Sequence, residues 1–302
     1  MTEKQKVPNN SEILFLYDAK RSNPNGDMDN ENKPRMDWDT GTNLVSDVRL
    51  KRYIRDYLQK VKGKNLFVSE EAEKAENRVH QILGRKPSSN KPVTDEELTK
   101  IAEECCDVIY FGAVLGTSGG NTHLTGPVQF NWGYSLNKVE LQESKTITSS
   151  FSSGEGVGKD YRVKYSFIAF SGGINGLAAK DTKLTENDVK LLDEAIIKSI
   201  PLNRTRSKIG QTPRLYLRVE MNDNETALND LREYISLDYN VREEDVRDIN
   251  NIELVIDELL EYLSTIKSKI KKINYWKDNK LTVKDNGFEK LLNTFPVNEL
   301  NY

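Results

Sequence analysis

The sequence predicts an α+β fold with its elements in the order βαββαβ, and three patterns carry that expectation. Ile13 to Tyr17 is an unbroken apolar run, as in a central strand buried on both faces. Leu50, Ile54, Tyr57, Leu58 and Val61 in one stretch, and Val189, Leu192, Ile196 and Ile200 in another, fall on single stripes at helical spacing. Val128, Phe130, Trp132 and Tyr134, and later Leu215, Leu217, Val219 and Met221, recur at the two-residue period of a strand.

The first strand (13–17) leads into a polar loop, Asp18 to Asn43, whose Asn23-Pro-Asn-Gly-Asp27 is dense in turn formers. Connections that long are ordinarily functional or disordered. Ser46 and Asp47 then supply an N-cap and an acidic first turn for a helix over 46–62. Its apolar stripe faces the core, while Arg49, Lys51, Arg52 and Arg55 make a positive band on the exposed side that Asp47 and Asp56 barely offset. Residues 63–106 are more charged and read as an insertion, with one helix near 69–84 and another opened by the capping box Thr94-Asp-Glu-Glu97. Strands over 128–136 and 161–170 flank a Ser-, Thr- and Gly-rich arm, Gln142 to Asp160, with too few apolar residues to fold alone. Leu184-Thr-Glu-Asn-Asp188 opens a helix over 185–200, and a strand over 213–221 completes the set. This is the ferredoxin-like or RRM plan. It gives a palm over 11–222, interrupted by a helical or finger-like insertion (63–106) and an arm (141–160), then a helical C-terminal extension over 223–302. The extension is split in charge, acidic from Glu243 to Glu261 and basic from Lys267 to Lys280, which suits a subunit contact or an internal pairing.

A net charge of −3 over 302 residues gives no bulk support for nucleic-acid binding, so that function must rest on local patches. The only cysteines, Cys105 and Cys106, sit adjacent in one predicted helix and complete no zinc site with the two histidines, His80 and His123. A reducing cytoplasm is the expected location. No window approaches the ~20 apolar residues of a membrane span, so no membrane partner is expected.

Gly154-Glu-Gly-Val-Gly-Lys159 is one residue short of phosphate-loop spacing and has Asp160 where Ser or Thr should ligate magnesium. Asp27-Met-Asp29-Asn-Glu31 begins like a calcium loop, but Asn32 takes the glycine position and Trp38 the closing glutamate. Asp27 and Asp29, with Asp37, suit either a hard cation for phosphodiester cleavage or a solvated acidic loop. Arg204, Arg206, Lys208, Arg214 and Arg218 form a basic run with no acidic residue from Arg204 to Val219, which fits phosphate contact, an acidic neighbour or plain solvation. Tyr165 to Phe170 echoes the aromatic pattern of an RRM third strand without its leading basic residue and glycine.

Leu14-Phe-Leu-Tyr-Asp-Ala-Lys20, Asn23-Pro-Asn-Gly-Asp27, Lys33-Pro-Arg35, Leu44-Val-Ser-Asp-Val48, Leu50-Lys-Arg52 and Thr125-Gly-Pro-Val-Gln129 together resemble the multicopy backbone subunit of type I CRISPR Cascade complexes, nearest to I-B variants. The likeness is strong over 13–60 and holds in order and spacing over 111–221. It implies a modified RRM palm, a finger-like insertion and a thumb reaching a neighbouring copy. Copies would polymerise helically along the crRNA spacer, beside other Cascade subunits, and present it to target DNA in antiviral defence. On that mapping Lys20, Arg21, Ser46, Arg49, Lys51, Arg52, Arg55, Arg204 and Arg206 contact the RNA, the Ser46 helix start offering free N–H groups to an anion. Phe151 and Val157 in the arm are the residues to wedge between bases. Type III relatives carry an Asp in the equivalent loop that cuts target RNA, whereas the type I branch is not a nuclease. The resemblance therefore implies no catalytic residue, metal or cofactor, with a metal-dependent ribonuclease using Asp27 or Asp29 as the alternative.

Overall fold

Strand β1 (Ser11–Ser22) is the centre of the molecule because both its edges and both its faces are covered. The computed structural model describes residues 9–302 apart from 70–73, 89, 118–119, 144–146 and 149–156. One edge of β1 pairs antiparallel with β2 (Tyr161–Ile174), from Ser11 opposite Ile174 to Ser22 opposite Val163. The other pairs antiparallel with β3 (Gln211–Met221), from Ser11 opposite Glu220 to Ala19 opposite Gln211. Ile13, Phe15, Tyr17 and Ala19 face helices α1 (Asp47–Lys60) and α2 (Glu186–Leu202), packing with Leu50, Ile54, Leu192 and Ile196. Leu14 and Leu16 face the opposite way, into a second core with Leu217, Val219, Leu254 and Leu263. Each such side chain, taken fully out of water, contributes about 2 kcal/mol.

The six predicted elements are present in the predicted order, and the strands run longer than their apolar kernels because ladder hydrogen bonds continue into polar sequence. The strand expected over 128–136 is instead two short ones, Val128–Phe130 and Gly133–Ser135, both on β2. The interruption comes at Trp132, since the Asn131 N–H still donates to Ser171 O of β2 at 2.9 Å while its side chain turns back to accept from the Trp132 N–H at 2.8 Å.

The tail is not the helical extension expected. Strand β4 (Ile270–Lys277) pairs antiparallel with β3, and Val297–Glu299 adds a parallel strand beyond it. Helices Asp257–Thr265 and Gly287–Thr294 and a hairpin, Ser236–Tyr239 with Ile252–Val255, cover the sheet. The lysine-rich block becomes a strand because β3 would otherwise expose an unpaired edge, and because Ile270 and Ile273 close over Val219 and Met221. Within the basic block, Lys271 donates at 2.6 Å to Glu220 of β3, which lies outside the acidic block, and Lys272 lies 3.5 Å from the same carboxylate.

The insertion carries helices Ala75–Leu83 and Asp95–Glu104 over a core of its own that includes Phe67, Val79, Leu98, Ile101 and Val108. The Thr94 and Glu97 capping box forms in both directions. Cys105 and Cys106 do not share a helix: Cys105 is extended and Cys106 begins the next helix, Cys106–Phe111. Burial pushes their thiols up, to about 11 and about 12. The arm starts from the sheet, Leu141–Glu143 pairing with the start of β2. Further out, Ile147–Thr148 pairs with Val157–Gly158, so Val157 is placed by its backbone, while Phe151 lies outside the described residues.

Arg218 of β3 reaches Asp193 of α2 through two hydrogen bonds of 2.9 and 2.8 Å, and Tyr216 Oη donates to the same carboxylate at 2.6 Å. Arg218→Met leaves Asp193 buried with its charge unmatched, and a loss of about 3 kcal/mol is expected, read as a lower urea midpoint with unchanged slope.

Candidate nucleic-acid interface

Lys20, Arg21 and Ser22 end β1 where it emerges from between its neighbours. The loop over 203–210 folds back onto this end: Lys20 N–H donates to Gly210 O and Asn23 N–H to Ser207 O, each at 2.8 Å. Glycine is required at 210, where φ is +102° and a Cβ would stand 2.3 Å from the Lys20 carbonyl oxygen. Arg162 of β2 crosses the junction, donating to Arg21 O at 3.0 Å and Arg206 O at 3.4 Å. Its guanidinium also shares Asp160 with Arg206, at 2.8 and 3.0 Å. Two basic segments far apart in sequence thus form one exposed rim holding Lys20, Arg21, Arg204 and Arg206. Lys20 pairs with Asp248 from the tail. With Lys20 48% and Arg206 63% exposed, these ion pairs are worth about 0–1 kcal/mol, so an incoming phosphate can replace the carboxylate.

The positive band expected along α1 is mostly not on the surface. Lys51 is 9% exposed and donates to Asp47 at 3.1 Å and Gln129 at 2.9 Å. Arg55 donates at 2.9 Å to buried Asp107, which also takes the Phe67 and Val68 N–H groups and so ties α1 to the insertion. Arg52 pairs with Asp56 at 3.0 Å. Ser46 itself has no spare donor, its N–H and hydroxyl both donating to Asn25 Oδ1 at 2.8 and 2.9 Å, and its side chain does not cap the helix it opens. Arg214 and Arg218, at the far end of the basic run, are buried against Asp18 and Asp193. Most of these polar groups, which the helical and strand spacing turns toward solvent, are covered by elements distant in sequence.

Arg49 and Lys208 differ from these. Arg49 lies 4.1 Å over the Tyr53 ring, and its buried Nε has no acceptor among the described residues. Lys208 Nζ donates to the carbonyls of Asn23 at 2.5 Å and Pro24 at 3.4 Å. Desolvation, and after it the Arg49 charge, brings the Lys208 ammonium down to about 7.

In the acidic loop Asp27 pairs with Arg35 at 3.1 Å, and Asp29 is exposed. Glu31 accepts from Lys159 at 2.8 Å and Tyr161 Oη at 3.0 Å, hydrogen bonds that hold its carboxyl below the usual range and fasten the loop to the base of the arm. Among the described residues no three His, Cys, Asp or Glu side chains gather as a metal site. Sequence reasoning missed Asn25, Asp160, Arg162 and Gly210 as parts of the interface. Gly210, set in a turn between a basic run and a strand, was the one with a visible signal.

The sequence pattern of the family described as CRISPR-associated protein Cas7 matches residues 9–257. A CRISPR-associated protein Cas7 of Haloferax volcanii is 33% identical, covering 90% of this chain and 88% of its own. Among solved structures, a chain of a CRISPR RNA-guided surveillance complex in a pre-nicking state superposes with a TM-score of 0.55 at 14% identity, over 97% of this chain and 96% of that one. A chain of another CRISPR RNA-guided surveillance complex gives 0.53 at 15% identity, over 97% and 95%. At these identities the two structures establish a shared fold.

Gly210→Ala is expected to open the seal between the 203–210 loop and β1, lowering the melting temperature and raising hydrogen exchange at the Lys20 and Asn23 amides. Arg55→Ala is expected to destabilise the fold by about 3 kcal/mol, the range for breaking a buried ion pair, while leaving the rim charges in place.

Proposed function

The chain belongs to the CRISPR-associated protein Cas7 family, and on that premise we propose that it is a non-catalytic guide-RNA scaffold of a type I, I-B-like Cascade. In this proposal, copies line up along the crRNA spacer in the cytoplasm, contact other Cascade subunits and present the guide for pairing with target DNA. In this reading the palm is RRM-like, supported by Gln211–Met221, Ser11–Ser22, Tyr161–Ile174 and the 128–135 strands lying side by side in that order, with two helices on one face. The observation that carries the reading is the rim, where Lys20 and Arg21 meet Arg204 and Arg206 through main-chain bonds at Gly210 and Ser207. Four exposed cations there would neutralise phosphates, and base pairing, not the protein, would read sequence. Lys51, Arg52 and Arg55 act mainly by holding α1, whereas the arm with Phe151 and Val157 reaches the bases.

For the cutting alternative, Asp27 is engaged by Arg35 at 3.1 Å while Asp29 is exposed. Incubation of labelled RNA with the protein, with and without EDTA, is expected to give no metal-dependent product.

Binding of single-stranded RNA across a salt series tests the scaffold. The variant Lys20→Ala/Arg21→Ala/Arg204→Ala/Arg206→Ala is expected to flatten the log–log salt slope by roughly 2 to 3, at about 0.7 for each phosphate no longer neutralised. An unchanged slope and affinity would sink the proposal.

A further inference from the structure

A cavity of about 150 Å³ opens between the C-terminal turn of α2, at Ile200 and Pro201, and the loop carrying Arg204 and Lys208. Gln211, at the start of β3, closes it. Buried polar atoms without hydrogen-bond partners gather near this place: Gln211 Nε2 and Arg49 Nε are donors, Ser22 Oγ and Tyr17 Oη can donate, and Asn23 Oδ1 is the one acceptor among them. Gln211 Oε1 is already used, by Tyr53 Oη at 3.3 Å, which leaves its amide N–H groups spare. Such atoms each cost about 1–3 kcal/mol unless something completes them.

The charges point to what completes them. From α1 the facing groups are Arg49 and the neutral Tyr53; from β1 they are Tyr17 and the emerging Lys20 and Arg21. The loop contributes Arg204 and Arg206. From β2 come Arg162 and Asp160, the latter already held by Arg162 and Arg206. Among the described residues Arg49 and Lys208 have no carboxylate partner, and the charge acting on Lys208 is that of another cation, Arg49. Arg49 is tied to the cavity wall through Tyr53, whose ring it covers and whose hydroxyl donates to Gln211.

We propose that Lys208, Arg49 and Gln211 form a seat for one phosphodiester of the bound strand, set deeper than the rim contacts. The proposal rests on the guide-RNA reading and adds to it a specific subsite and a pH dependence. The sign is fixed by the lowered ammonium of the free protein, about 7. A phosphate beside Lys208 raises it again, so binding is complete below 7 and weakens above it. Uptake of one proton sets the limit at about tenfold in affinity per pH unit.

The test is the affinity of the full chain for a labelled single-stranded RNA of mixed sequence between about pH 6 and pH 9, a span that brackets the lysine. Wild type is expected to lose affinity progressively above neutrality. Lys208→Arg, permanently charged, should bind as wild type does at low pH and show a flat profile over the same range. Lys208→Met should bind weakly and also flatly, with a thermal melt confirming that it is folded. If Lys208→Arg keeps the wild-type pH profile, the seat is overturned. If the rim variant weakens binding while Lys208→Arg and Lys208→Met both match wild type at every pH, the seat is overturned and the scaffold reading stands. If wild type binds no RNA at all, both fall.

Discussion

The double burial of β1 is the constraint on which the rest of the structure depends. Its odd-numbered residues from Ile13 to Ala19 pack against α1 and α2, Leu14 and Leu16 pack against the tail, and both edges are paired. A strand so enclosed has no place for an unpaired charge along its length, so its cations occur only where it emerges, at Lys20 and Arg21. The same constraint makes the tail indispensable. Without Leu254, Leu263 and Ile273, one face of the central strands would lie open to water, and β3 would present a bare edge.

Charge in this protein sorts by burial, and burial decides what each pair does. Arg55 with Asp107, Arg214 with Asp18 and Arg218 with Asp193 are enclosed, so removing either partner leaves a charge that water cannot reach. Lys20 with Asp248 and Arg206 with Asp160 lie at the surface, where solvent screening makes carboxylate and phosphate nearly interchangeable partners. The near-neutral net charge therefore does not argue against binding an anionic polymer, because many carboxylates are engaged inside the fold or by neighbouring lysines and arginines. Arg49 and Lys208 fall in neither class, being partly enclosed and unmatched.

Local signals are legible in the sequence and distant ones are not. The Thr94 and Glu97 capping box, the α1 and α2 stripes and the apolar kernel of β1 depend on residues a few positions apart, and all form as expected except at Val61, which lies past the end of α1 and is exposed. The lysine-rich tail departs from expectation because spacing within Ile270 to Lys277 says nothing about the β3 edge that recruits it. The positive band on α1 departs for a related reason. Its polar face is the docking face for the insertion, and only the position of Asp107 reveals that.

The sequence by itself determined the order of the six palm elements, the enclosed character of the first strand and, through its motifs, the family, since periodicity and short-range capping act over a few residues. Tertiary structure alone decided which basic residues meet. Lys20 and Arg206 share a rim because Gly210, lacking a Cβ, lets one loop touch the end of β1. Arg49 reaches this end of the sheet through Tyr53, whose ring it covers and whose hydroxyl donates to Gln211, and its charge acts on Lys208 through space with no regard for position in the chain.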